Sequence, residues 1–347
     1  MIMLFLGAGA SKPLGIPTME GFTDAIIQEY KDPNAKMGPL IRAIQSQIAR
    51  MGLKADIEGV LTVLQAKAKP EKSWEDVAAL MTFFPDDFKD IDEHALAWVV
   101  IFEIQKIIYK KCMQIDHERA IRLFGKLWDA LTTNVLLPSP GGGGYQGMYP
   151  QYLVSKIFTT NYDLSVETFL RRKKIAFDDG FHEDEVGDNT FNGNWTRGIS
   201  LYKLHGSVNY YLKDMKIVRS NEPLETTTIY GEKVEGPRMI YPTGEKYATR
   251  SPFYEYLGQL RQTLLNERVC IVIGYSFRDI AINNAFLDGM SRNPNLRIIL
   301  VGPSADRVRS TLDPVIQRHV LGLHGEFGDD LLPTSVMGQV KDWIPSE

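Results

Sequence analysis

A doubly wound parallel α/β sheet carrying a large helical insertion is the fold class this sequence predicts, and three observations predict it. Residues 1–6 form an apolar run that enters a Gly-rich turn at Gly7, which reads as a buried strand ending in a sharp connection. Val269–Ile273 and Arg297–Val301 are short, β-branched and flanked by helical stretches, the pattern of parallel strands buried on both faces. From about 20 to 135 the texture is helical, without strand alternation.

Taken in order, the helical segments fall near 21–30, 38–50, 54–67, 92–114 and 117–134, with breakers at Pro33, Pro39, Pro70 and Pro85. Leu96–Phe102 is apolar all the way round, so that helix is expected either inside the helical module or at a subunit contact. Pro138-Ser139-Pro140 followed by Gly141–Gly144 reads as a loop. Strand character resumes at Leu153–Thr159 and Ile199–Leu204, and residues 182–250, rich in Gly, Thr, Asn and Tyr, read as an irregular, partly β excursion. The expected organisation is therefore a sheet domain from 1–20 and 150–335, with an inserted helical module over 21–137.

The chain has 347 residues, 44% hydrophobic and 24% charged, so a packed core is expected rather than disorder. A net charge of −4 gives no general attraction to nucleic acid or to an anionic membrane. Two cysteines, Cys112 and Cys270, cannot build a disulfide framework or a four-thiolate zinc site. The opening apolar run lacks a basic flank and is too short for a signal peptide or a membrane span, and a cytoplasmic location is expected.

Five short motifs, each at a strand end, carry the candidate chemistry. Gly7-Ala8-Gly9-Ala10-Ser11 follows the first strand, where glycines let main-chain N–H groups approach a pyrophosphate. The third glycine of the hydride-transfer fingerprint is absent, because Lys12 stands there, which argues against a dehydrogenase. Gly15-Ile16-Pro17 follows and is expected to shape the loop over the ligand.

Thr159-Thr160-Asn161-Tyr162-Asp163 crowds polar groups onto a strand's C-terminal end, where open α/β sheets bind ligands. The Asn161 amide suits a ribose hydroxyl or a water, while Asn161 or Asp163 could instead cap the next helix. Lys203-Leu204-His205-Gly206-Ser207 supplies His205 as a general base, with Gly206 allowing close approach of substrate. In Ile273-Gly274-Tyr275-Ser276-Phe277-Arg278-Asp279, Ser276 suits a phosphate or ribose and Asp279 suits a helix cap. The turn at Gly302, after Val301, either faces the adenosine half of a dinucleotide or simply reverses the chain.

In this order, the Gly7–Ser11 turn, the Gly15–Pro17 loop, Thr159–Asp163, His205-Gly206 and Gly274–Ser276 resemble the sirtuin family, over roughly the first 25 residues and 150–305. The resemblance implies a Rossmann-like sheet of the sirtuin type that uses NAD⁺. The chain departs from deacetylating sirtuins in having two cysteines in all, hence no zinc ribbon, and Thr18-Met19-Glu20 where the family has Asp-Phe-Arg.

The zinc-free forms are more similar to the sirtuin-like NAD⁺ hydrolases of bacterial anti-phage defence. That resemblance implies Asn161 and His205 as catalytic pair. With the strand-end motifs read above, Gly7, Ala8, Gly9, Ser11, Ile16, Pro17, Thr160, Asp163, Gly274, Ser276, Asp279 and Gly302 are the residues expected around NAD⁺. The resemblance further implies no metal, a homo-oligomer, and an activating partner such as a HerA-type ATPase or a short Argonaute. The alternatives are an NAD⁺- or ADP-ribose-sensing module and an NAD⁺-dependent protein deacylase.

Overall fold

The computed structural model describes residues 2–31, 37–50, 52, 55–68, 93–138, 145–213, 216–222, 224–227, 233–235, 251–330 and 332–343. Pro33, Pro70, Pro85, Gly141–Gly144, parts of the 182–250 excursion and the Trp98 side chain lie outside them.

Seven parallel strands form the central sheet: β1 (Ile2–Leu6), β2 (Val154–Thr159), β3 (Phe177–Asp178), β4 (Ile199–Lys203), β5 (Val269–Ile273), β6 (Arg297–Val301) and β7 (Val320–Leu323), in the spatial order β7-β6-β5-β1-β2-β4-β3. The sheet is the doubly wound α/β arrangement expected. From β1 the chain builds outward through β2, β3 and β4, then crosses to the opposite flank at β5. Such a reversal of winding leaves a crevice above the central strand, where sheets of this kind take ligands.

Register decides which loops meet there. Leu6 lies opposite Ile273 and Thr159, Thr159 opposite Lys203, and Ile273 opposite Val301. The last residues of five strands thus form one row across the sheet. The loops that follow them leave from the same level.

Alternation along each strand sends side chains to two separate cores. Ile2, Leu4, Leu6, Ile157, Leu201 and Ile271 belong to one; Met3, Phe5, Phe158, Tyr202, Cys270 and Val272 belong to the other. The first face is covered by α2 (Met19–Glu29), α3 (Met37–Arg50), α4 (Ile57–Ala68), α5 (Glu93–Met113) and α6 (His117–Ala130), together with α7 (Ser165–Arg172). The inserted helices therefore share a continuous core with the sheet. The second face is covered mainly by α8 (Phe253–Asn266) and α9 (Ile280–Arg292). Ahead of α2, a one-turn helix, α1, spans Ala8–Ser11.

Several sequence expectations are corrected. A one-turn helix opens directly in the Gly-rich turn, at Ala8, ahead of the first full helix. The helix expected to run to 134 ends at Ala130, and Thr132–Pro138 pairs antiparallel with Tyr145–Tyr152. In the apolar helix α5, Leu96, Ala97, Val100 and Ile101 are buried in the first core, while Val99 is 52% exposed. No helix among the described residues is long and apolar enough to cross a membrane.

Candidate functional site

A crevice open to solvent lies over the C-terminal ends of β1, β2, β4 and β5. Its lining includes Ala8, Ser11, Ile16, Pro17, Thr160, Asn161, Asp163, His205, Gly274, Ser276 and Asp279. Ser11 and Asp163, 152 positions apart, meet there because β1 and β2 pair in register.

The Asn161 amide is tied to the Gly-rich turn. Its Nδ2 donates to the Gly7 carbonyl at 2.9 Å and to Ser11 Oγ at 2.8 Å. Those two bonds use both amide hydrogens, so the group it can turn toward a ligand is the acceptor Oδ1. Ser11 in turn donates to Asp163 Oδ2 at 2.6 Å, and Asp163 Oδ1 accepts the Ser165 N–H at 2.9 Å at the start of α7. Asp163 is thus both a brace for the turn and a local turn-former.

Beneath this chain lies Lys203, 1% exposed at the end of β4. Its Nζ is 2.9 Å from Glu167 Oε1 and also donates to the main-chain carbonyls of Asp163 and Tyr162. Burying a charge is tolerable only with such pairing and hydrogen bonding. Lys203 was visible in the sequence as part of the motif but received no role there; a charged residue in an otherwise apolar strand was the available signal.

His205 is buried, with Nε2 3.1 Å from Asp279 Oδ2. An ionised carboxylate can only accept, so in this pair Nε2 is the donor. The other oxygen of Asp279 accepts from the Ala281 and Ile282 N–H groups at 2.9 and 3.1 Å, capping α9. One carboxylate therefore fixes a helix end and an imidazole together.

The glycines act differently from the sequence expectation. A Cβ on Gly7 would lie 2.6 Å from the Gly274 carbonyl oxygen. One on Gly274, whose φ is +64°, would lie 2.4 Å from the Ala10 nitrogen. They let two turns pack main chain against main chain, rather than opening the turn to a ligand. The N–H groups of Gly7, Gly9 and Ala10 are spent within the protein, on the carbonyls of Ile273, Gly274 and Gly7. Gly7 and Gly9 lie under the crevice, outside its lining. Gly206 turns the chain at φ +86° and does not line it either. Gly302 sits one strand beyond β5, where its N–H bonds the Leu323 carbonyl; the structure does not bring it to the crevice.

The lining also holds Met19, Phe22, Glu58 and Cys112 from the helical module, which no motif contains, and Tyr162, Tyr275 and Arg278, which lie inside the motifs but carry no role there. Glu20 approaches Arg278 Nη2 at 3.5 Å. Burial pushes the Cys112 thiol well above its usual range. Among the described residues, no group of three or more His, Cys, Asp or Glu is placed to hold a metal ion.

Residues 155–318 match the family model of the SIR2-like domain, spanning the strands that contribute Asn161, His205 and Asp279. A Sir2 homologue in complex with ADP-ribose aligns at 13% identity and a TM-score of 0.46, covering 99% of this chain and 94% of that one. A Sir2 homologue in complex with NAD aligns at 13% identity and 0.44, covering 98% and 89%. Sir2 bound to an acetylated peptide aligns at 10% identity and 0.45, covering 98% and 93%. No curated protein matches the chain.

Proposed function

We propose that this chain hydrolyses NAD⁺ at the bond between nicotinamide and ribose, releasing nicotinamide and ADP-ribose. The observation that carries the reading is the Asp279–His205 pair, held at 3.1 Å in the same crevice as Asn161, above the switch point of a doubly wound sheet. The SIR2-like match over 155–318 supports NAD⁺ as the dinucleotide.

The nicotinamide C1′–N bond is already activated, since its electron pair leaves with the ring and neutralises the pyridinium. Cleavage builds oxocarbenium character on the ribose, as in glycoside hydrolysis. A water oxygen then bonds to C1′ and its proton passes to His205, directly or through a ribose hydroxyl. Asp279 fixes the imidazole and favours the cation that forms. Asn161 Oδ1 accepts a hydrogen bond from the ribose or the water, while its Nδ2 holds the turn beneath.

The biological use we propose is NAD⁺ depletion in anti-phage defence, in the cytoplasm, by a homo-oligomer or under an activating partner such as a HerA-type ATPase or a short Argonaute. The support is the motif set of the zinc-free group. Mass-resolved product analysis after incubation with NAD⁺, alone and with partner, tests the chemistry. Nicotinamide with ADP-ribose is expected. Tight NAD⁺ binding without release under both conditions would replace the hydrolase by a sensor. Release dependent on an acyl-lysine peptide would replace it by a deacylase.

A further inference from the structure

If the crevice takes a dinucleotide, its pyrophosphate brings two negative charges, and several donors of the Gly-rich turn are already taken. The N–H groups of Gly7, Gly9 and Ala10 already bond carbonyls of the protein, and the Ser11 hydroxyl already donates to Asp163. Three carboxylates, Glu58, Asp163 and Asp279, line the space. Each disfavours an incoming anion.

Among the described lining residues, one side chain is a guanidinium and none is a lysine: Arg278, in the loop between β5 and α9. It is 45% exposed. Its Nη1 lies 3.4 Å from Asp56 Oδ2, just ahead of α4, and its Nη2 lies 3.5 Å from Glu20 Oε1 in α2. The pair with Glu20, 67% exposed, is long and solvated and therefore weak, whereas Asp56 is buried, with its side chain 4% exposed. A guanidinium on a phosphate makes shorter, paired, charge-assisted bonds of about 2.7–2.9 Å. The arrangement is that of a cation parked on two carboxylates at the edge of an anion-accepting crevice.

We propose that Arg278 is the phosphate clamp of this crevice. It exchanges Glu20 and Asp56 for the pyrophosphate when the dinucleotide binds, so occupancy loosens the tie between the β5–α9 loop and the helical module. The inference rests on the dinucleotide reading above.

Calorimetric titration of the full-length chain with ADP-ribose and with adenosine tests it, using wild type, Arg278→Gln and Glu20→Gln. Arg278→Gln is expected to weaken ADP-ribose about 10- to 100-fold, as loss of a hydrogen-bonded charge does, and to leave adenosine unchanged. Glu20→Gln, which removes a competitor for the guanidinium, is expected to tighten ADP-ribose. Unchanged ADP-ribose affinity in Arg278→Gln, with wild type binding normally, overturns the clamp alone. Equal loss of both ligands, with a lowered Tm, assigns Arg278 a structural role and overturns it too. A wild-type chain that binds neither ADP-ribose nor NAD⁺ removes the dinucleotide reading itself, and the clamp with it.

Discussion

His205 and Asp279, 74 residues apart, meet through one contact of 3.1 Å between Nε2 and Oδ2, and the same aspartate caps α9. Asp279→Asn separates these duties. Asn caps a helix about as well as Asp, so Tm should barely move. The amide cannot hold the imidazole in the same way, and kcat for nicotinamide release should fall about 10²-fold with KM little changed. A parallel rise in KM and drop in Tm would assign Asp279 to the scaffold instead.

Removing the imidazole itself should cost more. His205→Ala is expected to reduce NAD⁺ turnover by about 10²–10⁴-fold, with the circular dichroism spectrum of the native fold retained. Turnover near wild type in the purified variant would take His205 out of the mechanism.

Asn161 serves both the turn and the ligand, so its substitutions should differ in kind. Asn161→Ala is expected to abolish turnover nearly completely. Asn161→Asp sets a carboxylate oxygen where Nδ2 now donates to the Gly7 carbonyl. It should therefore also lower Tm, which thermal melts of the two variants side by side would reveal.

Gly274→Ala tests the turn-against-turn packing. Its Cβ would be 2.5 Å from Gly9 Cα, at a φ of +64°, and clash and strain together should destabilise the fold by about 1–3 kcal/mol or more. Chemical denaturation measures this. Wild-type stability would mean that the two turns are not pressed together as the structure has them.

The buried Lys203–Glu167 pair gives a stability test. Lys203→Met leaves Glu167 buried and uncompensated, at a cost of about 3–5 kcal/mol. The double variant Lys203→Met/Glu167→Leu should recover most of that loss. Equal stability of the single and double variants would show that the pair does not act as a unit.

The thiols of Cys112 and Cys270 are buried, and desolvation raises both well above the ordinary thiol range. A raised thiol stays protonated through neutral pH, and the reactive thiolate appears only on approaching the raised value. Both should resist a thiol reagent at pH 8 in the native protein and react on unfolding. Rapid native labelling of Cys112 would contradict its place in the packed wall of the crevice.

Local features of this chain are legible in its sequence. The apolar runs of β1, β5 and β6, the helical texture up to 130, and the polar clusters at strand ends each leave a signal within a few residues. The two-residue β3 and the four-residue β7 are too short to show a period. Asp279 was legible as a cap, because capping is a local act; its bond to His205 was not.

The sequence alone determined that Asn161, His205 and the Gly-rich turn stand at strand ends in a parallel α/β chain, since alternation and breakers are written residue by residue. Only the tertiary structure decided that Leu6, Thr159, Lys203 and Ile273 share one row, that glycines serve packing between turns, and that Arg278 reaches Glu20 and Asp56. The reason is physical: register and core packing are set by contacts between segments distant in the chain, and no local pattern carries their energy.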